Sequence, residues 1–178
     1  MFSVYILQDF LKQKDDEKEI GVFQKEKTDI YCAVLYALLN YNKIKCKIIK
    51  PLGLERDFKV KSKSNESIIY APVFELSNCA DISFIYTDCT ENFSQSFKLA
   101  SILRKARSGN DDKAIFINPL KSTDFLANFS PVVFDVLRIS DAKAYENSVD
   151  PFIMAFVTAK AFCEFFGIDF KSNNFMHI

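Results

Sequence analysis

The chain has 178 residues, of which 49% are hydrophobic and 26% are charged, which is ordinary for one globular domain and excludes an intrinsically disordered chain. Its 23 basic and 23 acidic side chains cancel at pH 7, so no global charge attracts it to nucleic acid or to an anionic membrane. The first residues lack the regions of a signal peptide, and no apolar run reaches the roughly 18 residues of a membrane span. With five cysteines that lack paired spacing, these features predict a cytoplasmic protein with reduced thiols and no membrane contact.

The first half of the chain alternates between strand and helix patterns. Residues 4–7 are predicted to form a short buried strand. Residues 28–42 are apolar at helical spacing on more than one side, which indicates a buried helix with Thr28 as its N-cap. Residues 44–48 alternate between apolar and polar, which indicates a strand near a sheet edge. The charged residues 51–66 are typical of an exposed connection.

The alternation continues through two further strands and a helix. Residues 67–76 and 80–86 are predicted strands, and Pro72 argues against a central position for the outer part of the first. Residues 90–107 are apolar along one face, which indicates a helix, and Thr90 is its predicted cap. Its last turn is rich in cations, which complement the negative end of a helix.

The last elements are two apolar strands and a helix with well-marked ends. Residues 114–117 and 132–139 are nearly continuous apolar runs, as in strands that are covered on both faces. The final helix is predicted from Asp150 as N-cap, Pro151 at the first helical position and Gly167 just past its end.

This alternation predicts a three-layer α/β domain with a mostly parallel or mixed sheet of about five to six strands and helices on both faces. No linker or repeat divides the chain, so residues 1–178 are expected to form one domain, in which residues 170–178 are a C-terminal tail.

Two residue counts exclude much familiar chemistry. His177 is the only histidine, and a penultimate residue is poorly placed for a catalytic triad. The cysteines lack the spacing of a structural zinc site. Only four glycines are present, and no loop has the glycine run that cradles a phosphate. We therefore predict no metal and no other cofactor.

Two carboxylates are the candidate catalytic residues. Glu26 precedes the first long helix, and Asp135 lies inside the apolar strand pattern at 132–139. A buried acid is costly unless it is paired, metal-bound or protonated. Under the hypothesis that the chain is a hydrolase, both carboxylates lie in one cleft, with Asp81 or Asp88 nearby. The alternative is that Asp135 is a structural acid, paired for example with Arg138 or a lysine.

A lysine-rich segment is the candidate anion-binding site. Between positions 43 and 63 eight cations face only two acids. The predicted binding residues for RNA or another anion are Lys45, Lys47, Lys59, Lys61 and Lys63. The alternative is a solvated strand edge on which lysines prevent pairing with another sheet.

Several segments, in order, resemble one enzyme family. Glu26 ahead of the first helix resembles a metal-binding glutamate, and residues 80–86 resemble a strand leading to a ligand histidine. Residues 131–136, led by Pro131, resemble the strand that carries a catalytic glutamate. These features resemble the zinc-dependent N-acetylmuramoyl-L-alanine amidases of the type-3 family. The resemblance implies their fold.

The same resemblance shows what is missing for the chemistry of that family. The glycine- and histidine-rich turn after the first strand is replaced by Leu7-Gln8-Asp9-Phe10, and the later histidine falls at Thr87 or Asp88. Without both imidazoles a zinc site of that kind cannot form. We therefore expect a non-catalytic relative that binds a protein partner or a second copy of itself. The carboxylate hydrolase and the anion-binding module stay as alternatives.

Overall fold

The computed structural model describes residues 2–8, 22–23, 25–49, 67–77, 83–88, 93–108, 115–120, 132–140 and 150–172. The strands in these ranges are β1 (Ser3–Leu7), β2 (Val22–Phe23), β3 (Lys45–Ile49), β4 (Ser67–Ser77), β5 (Ser83–Asp88), β6 (Ile115–Leu120) and β7 (Val132–Ser140). The helices are α1 (Lys25–Tyr41), α2 (Phe93–Ser108) and α3 (Pro151–Phe166). None of the helices in the described ranges is both long and apolar enough to cross a membrane.

The strands form one mixed sheet in the order β3-β1-β4-β7-β5-β6, and β2 pairs with β4. Strands β1, β3, β4 and β7 are parallel to one another. Strands β5 and β6 are parallel to each other, and β5 runs against β7. The α/β class is thus confirmed. The number of five to six strands is not, because the described residues contribute seven, including the two-residue β2.

Strand β4 lies in the middle of the sheet, although it contains Pro72. The prediction from Pro72 applied to the outer part of this strand, beyond residue 70, where β4 pairs with β7 on one side and with β2 only at residues 75–76 on the other. Strand β1 pairs with β4 only along residues 67–70, so Pro72 lies beyond the end of that ladder. The N–H of Phe74 donates to Thr28 Oγ1 at 3.3 Å. Because N–H groups two residues apart point to the same side of a strand, the N–H that Pro72 lacks would also have pointed away from β7.

Helix α1 begins three residues earlier than its pattern indicated. Thr28 is fully buried inside the first turns rather than at the N-cap, so that prediction was wrong. Its hydroxyl instead accepts the backbone N–H of Phe74 in β4. A threonine before an apolar run can cap a helix or accept a hydrogen bond from a neighbouring strand. Here the position of β4 decides which of these two roles Thr28 has.

Helix α3 confirms the predicted end signals. Asp150 Oδ1 accepts the N–H of Phe152 at 2.8 Å, and Pro151 is the first helical residue. Gly167 has φ 68° and ψ 34°, the left-handed conformation in which a side chain is strained, and its N–H donates back to the last turn.

The three described helices cover the same face of the sheet and pack into one core, so helices on the other face stay a prediction that the described residues do not test. Tyr31 meets Thr158 and Asn42 meets Lys171, so α1 and α3 run parallel. Arg107 also meets Thr158, and Lys98 lies over the ring of Phe165, so α2 runs against α3. The N-termini of α1 and α3 and the C-terminus of α2 therefore meet above the carboxyl ends of the parallel strands.

The opposite face of β4 is buried as well, at Ile69, Ala71 and Val73, as expected for a sheet that is covered on both sides. The predicted connection at 51–66, the cap Thr90 and the end of the tail beyond 172 lie outside the described residues. The start of the tail is held in place, because the ring of Phe170 packs edge-on against Phe156.

Candidate functional site

Asp135 forms a buried ion pair with Arg107. The Nη1 of Arg107 donates to Oδ1 of Asp135 at 2.6 Å and its Nη2 donates to Oδ2 at 2.5 Å. The arginine side chain is 3% exposed and the aspartate side chain 0%. Tyr70 also donates to Oδ2. Every carboxylate oxygen of Asp135 thus accepts a hydrogen bond in a position that water cannot reach.

Three hydroxyl groups extend this ion pair into a five-residue network. Tyr31 Oη lies 2.6 Å from Tyr70 Oη and 2.8 Å from Thr158 Oγ1. Arg107 Nη2 closes the ring by donating to Thr158 Oγ1 at 2.9 Å and to Tyr70 Oη at 3.3 Å. Each member comes from a different element, so the network joins all three helices of the layer to the neighbouring strands β4 and β7.

The electrostatics keep the two tyrosines and the arginine of the network each in one protonation state. Burial raises the pKa of Tyr31 and of Tyr70 above the ordinary tyrosine range. Burial by itself would lower the pKa of Arg107, but the adjacent Asp135 more than offsets it and holds that pKa well above its ordinary value. At physiological pH the tyrosines stay neutral and Arg107 stays charged, because an opposite charge within hydrogen-bond distance favours the ionised form.

Local sequence explains how each side chain reaches the network. In the parallel register Tyr70 pairs with Val133 and Pro72 with Asp135, so Tyr70 and Asp135 point to the same face of adjacent strands. On α2 the buried residues Ala100 and Leu103 are followed one turn later by Arg107. The arginine therefore continues the buried stripe of the helix.

The two predicted catalytic carboxylates have different surroundings. Glu26 is exposed in the first turn of α1, whereas Asp135 is enclosed. A general acid or base must come within hydrogen-bond reach of the substrate atom that it serves. The surroundings of Asp135 favour the structural alternative, with Arg107 as the partner in place of Arg138 or a lysine. A catalytic role for Glu26 and Asp135 stays a prediction.

A second polar cluster lies where β1 ends, at the carboxyl edge of the sheet. Gln8, 7% exposed, donates through Nε2 to Asp29 Oδ1. Lys25 Nζ pairs with Asp29 Oδ2 at 2.6 Å. Ligands of open α/β sheets bind at this edge. Both oxygens of the Asp29 carboxylate, however, already accept hydrogen bonds from within the cluster.

The cluster at the end of β1 does not fit a zinc ion. Zinc is held by imidazole, thiolate and carboxylate groups, whereas the carboxylate of Asp29 already accepts from an amide and an ammonium group. Across the described ranges no group of three or more such ligands comes together.

The other predicted binding and reactive residues are distributed over the surface and the core. Lys45 and Lys47 are exposed on β3, the first strand of the sheet order, as a lysine-protected edge requires. The remaining predicted lysines, 59, 61 and 63, lie outside the described residues. The described cysteines, Cys32, Cys46 and Cys163, are buried free thiols.

Comparison with known proteins gives matches in structure. No protein-family model matches the chain, and no curated protein matches it in sequence. The catalytic domain of CwlV, an N-acetylmuramoyl-L-alanine amidase from Bacillus (Paenibacillus) polymyxa var. colistinus, superposes with TM-score 0.65 at 13% identity, over 95% of this chain and 100% of that one. The chain has an amidase-like fold. The amidase AmiC2 of Nostoc punctiforme matches with TM-score 0.61 at 8% identity, over 93% and 97% of the two chains. CwlD from Clostridioides difficile, solved in complex with the GerS lipoprotein, matches with TM-score 0.61 at 9% identity, over 95% and 100%.

The strand order of this amidase-like fold gives the distance between two positions that the family resemblance compared with ligand histidines: the end of β1 and the end of β5. Thr87 and Asp88 end β5, which is separated from β1 by β4 and β7. Three strand spacings of about 4.8 Å place that position about 14 Å from the end of β1. The strand beside β1 is β4, and its Tyr70 meets α1 through Tyr31.

Sequence reasoning found Asp135 but missed its partner. Arg107 lies in the last turn of α2, where an exposed cation ordinarily complements the negative end of the helix. The signal that identifies it is its spacing of four from Leu103 and seven from Ala100, on the buried face. Thr158 carries a similar signal, because it is a polar residue inside an apolar helix.

Proposed function

We propose that this chain is a non-catalytic binding domain that keeps the amidase fold and engages a protein partner. The observation that carries the proposal is the ion pair of Asp135 with Arg107. Asp135 stands on the strand that resembles the one carrying the catalytic glutamate of the amidases, yet it is fully enclosed and hydrogen-bonded on both oxygens. A carboxylate held in this way has its hydrogen bonds satisfied within the domain and has no open side for a substrate or a water molecule.

The partner-binding half of the proposal rests on the outer surface of the helical layer. All the large apolar side chains that are exposed in the described residues lie on its three helices: Tyr36, Tyr41, Phe97, Phe152 and Ile153. Phe152 and Ile153 are adjacent and are 57% and 62% exposed. Neighbouring exposed apolar groups mark interaction surfaces more often than single ones do.

The structural neighbours show that such a fold can assemble with another protein, since CwlD was solved in complex with a lipoprotein. For this chain we propose that the domain likewise binds a protein partner, in the cytoplasm and through the exposed surface of its helical layer. The carboxylate hydrolase is a weaker proposal because Asp135 is enclosed. The anion-binding module rests on Lys45 and Lys47 among the described residues.

The test of the proposal has a metal arm and a binding arm. Zinc titration of the purified chain by competition with a chromophoric chelator is expected to show no tight site, with a zinc protein of known stoichiometry as the positive control. Stoichiometric tight zinc would contradict a non-catalytic role.

In the binding arm, extract from the source organism is passed over immobilised wild-type chain and over two variants. Phe152→Asp combined with Ile153→Asp is expected to lose a specifically retained protein, because charge replaces the exposed apolar pair. Glu164→Ala, an exposed change on the same helix, is expected to retain it. Equal retention by all three proteins would overturn the proposed surface.

A further inference from the structure

The outward face of α1 carries no charge beyond the first turns of the helix. Residues 30–42 contain no charged side chain. Among them Ala33, Tyr36, Ala37 and Asn40 are exposed, and their spacing of three and four residues places them on one side of the helix. Tyr36 is 43% exposed. This face differs from those of α2 and α3, whose exposed residues include charged side chains.

The polar member of this face, Asn40, is hydrogen-bonded within its own chain. Its Nδ2 donates to the carbonyl oxygen of Tyr36 at 2.9 Å, and its Oδ1 accepts the N–H of Cys46 at 3.3 Å. The face therefore presents an aromatic ring and the methyl groups of Ala33 and Ala37, with no charge to remove from water. Depletion of charge and enrichment of tyrosine are typical of the centre of a protein interface.

Exposed charges of opposite sign lie at the two ends of this face. Glu26 is exposed in the first turn, and Lys43 is exposed just after the helix. Of the cations near Glu26, Lys25 is paired with Asp29 at 2.6 Å. Lys27 is partly buried and is turned about 100° away from Glu26, as neighbouring residues on a helix are. The face thus has an acid in line with it at one end and a cation at the other.

We infer that α1 packs antiparallel against α1 of a second copy of this chain. Antiparallel packing sets Glu26 of each copy opposite Lys43 of the other, so that the charges are complementary. The midpoint of this alignment lies between residues 34 and 35, and it also sets Ala33 of each copy opposite Tyr36 of the other. A small side chain opposite a large one lets two helices interdigitate. Charge and side-chain size therefore select the same alignment.

This complementarity favours a second copy over an unrelated helix, because the face fits itself when it is turned around. Each contact then occurs twice about a two-fold axis, which is the commonest symmetry of protein oligomers. The contact of one helix pair is smaller than the roughly 800 Å² that each side of a standard interface buries, so we expect a weak dimer with a dissociation constant on the order of 10–100 μM. The inference goes beyond the proposed function, because that proposal concerns another protein and a surface on α3.

Sedimentation equilibrium of the full chain, at concentrations up to about 500 μM, tests this inference. We expect a monomer–dimer equilibrium for the wild-type chain. Tyr36→Asp should weaken it at least tenfold, because the change places a carboxylate at the centre of the contact. Phe152→Asp combined with Ile153→Asp, on α3, should change it less than twofold.

A charge exchange tests the antiparallel alignment. Glu26→Lys or Lys43→Glu alone sets like charges opposite each other and should weaken the dimer about threefold or more, since exposed ion pairs are individually weak. The variant with both changes restores opposite charges and should bind within about twofold of the wild-type chain. Glu164→Lys and Lys160→Glu make the same changes in net charge on exposed residues of α3 and should each alter the dimer less than twofold.

Three results would overturn the inference: a monomer at every concentration, a dimer that Tyr36→Asp leaves unchanged, or charge losses that add in the double variant instead of cancelling. Loss of the dimer in the α3 double variant alone would also overturn it, because self-association would then use the α3 surface. Unchanged thermal unfolding of Tyr36→Asp shows that its fold is intact, and Ala33→Glu on the same face takes its place if the melting temperature falls.

The extract experiment separates this inference from the proposed function. If the purified chain is monomeric and Tyr36→Asp loses a protein that the wild-type chain retains, a different protein occupies the α1 face and the inference is overturned. If the chain is monomeric and only the α3 double variant loses its retained protein, the inference fails and the proposed function stands.

Discussion

Replacing either member of the buried ion pair tests whether Asp135 is a structural acid. Arg107→Met leaves a carboxylate without its cation in a fully enclosed position, and Asp135→Asn leaves the guanidinium without its anion. Breaking a buried pair from one side typically costs about 3–5 kcal/mol. A domain of this kind is stable by about 5–15 kcal/mol in total. Each single change should therefore lower the melting temperature by roughly 6–20 °C, at about 2–4 °C per kcal/mol.

The double variant separates pairing from simple loss of packing. With both charges removed, no buried charge is left alone, so the loss should be smaller than the sum of the single losses by at least about 2 kcal/mol. Urea unfolding of the four proteins, followed by circular dichroism, measures this coupling. The exposed pair Lys25 and Asp29, with side chains 53% and 40% exposed, is the matched control, and its coupling should stay below about 1 kcal/mol.

The opposite result would refute the structural reading. A functional acid held open for a substrate is often destabilising, so that its removal leaves stability unchanged or raises it. If Asp135→Asn is neutral or stabilising, or if the two changes are additive, Asp135 is not the satisfied partner of Arg107, and the hydrolase alternative gains support.

The remaining predictions concern the helix ends and the thiols. Asp150→Ala should lower the free energy of unfolding by about 1 kcal/mol, measured by urea unfolding, because the N–H of Phe152 loses its acceptor. Gly167→Ala should destabilise by about 1 kcal/mol through its positive φ alone, since nothing lies within 4 Å of an added Cβ. Lys43→Gly, at φ 63°, should stabilise by a few tenths to about 1 kcal/mol in the same assay. Burial raises the pKa of Cys163 from 9.0 to about 11, so peptide mapping after iodoacetamide at pH 8 should show this thiol reacting roughly a hundredfold more slowly than in urea. Stability from this thiol is present below pH 9 and is lost as the pH rises towards 11. Equal rates in the two conditions, or an unaffected Asp150→Ala variant, would contradict these assignments.

Features that depend on neighbouring residues could be predicted from the sequence. The ends of α3 depend on Asp150, Pro151 and Gly167 alone, and the structure confirms all three. The edge position of β3 follows from its alternating lysines and depends on little else.

Features that depend on distant contacts could not be predicted. Thr28 suits a cap equally well, and it became a buried acceptor because β4 passes beside it. Pro72 is tolerated in β4 because the pairing of β4 with β1 ends two residues earlier, at Tyr70. Arg107 and Asp135 lie 28 residues apart in sequence, and only the register of the sheet and the direction of α2 bring them together.

The same distinction applies to the candidate site. The acid in the apolar strand could be identified because burying a carboxylate demands a partner. Its partner could not be identified, since several cations were available in the sequence. The hydroxyls of Tyr31, Tyr70 and Thr158, which complete the network, come from three elements whose arrangement no local pattern records.

Release of peptide from purified peptidoglycan, measured with added zinc, tests the central claim most directly. We predict no release above background by the wild-type chain or by Asp135→Asn, with the CwlV catalytic domain active in the same assay. Zinc-dependent release by the wild-type chain would contradict the account, because a non-catalytic domain releases no peptide.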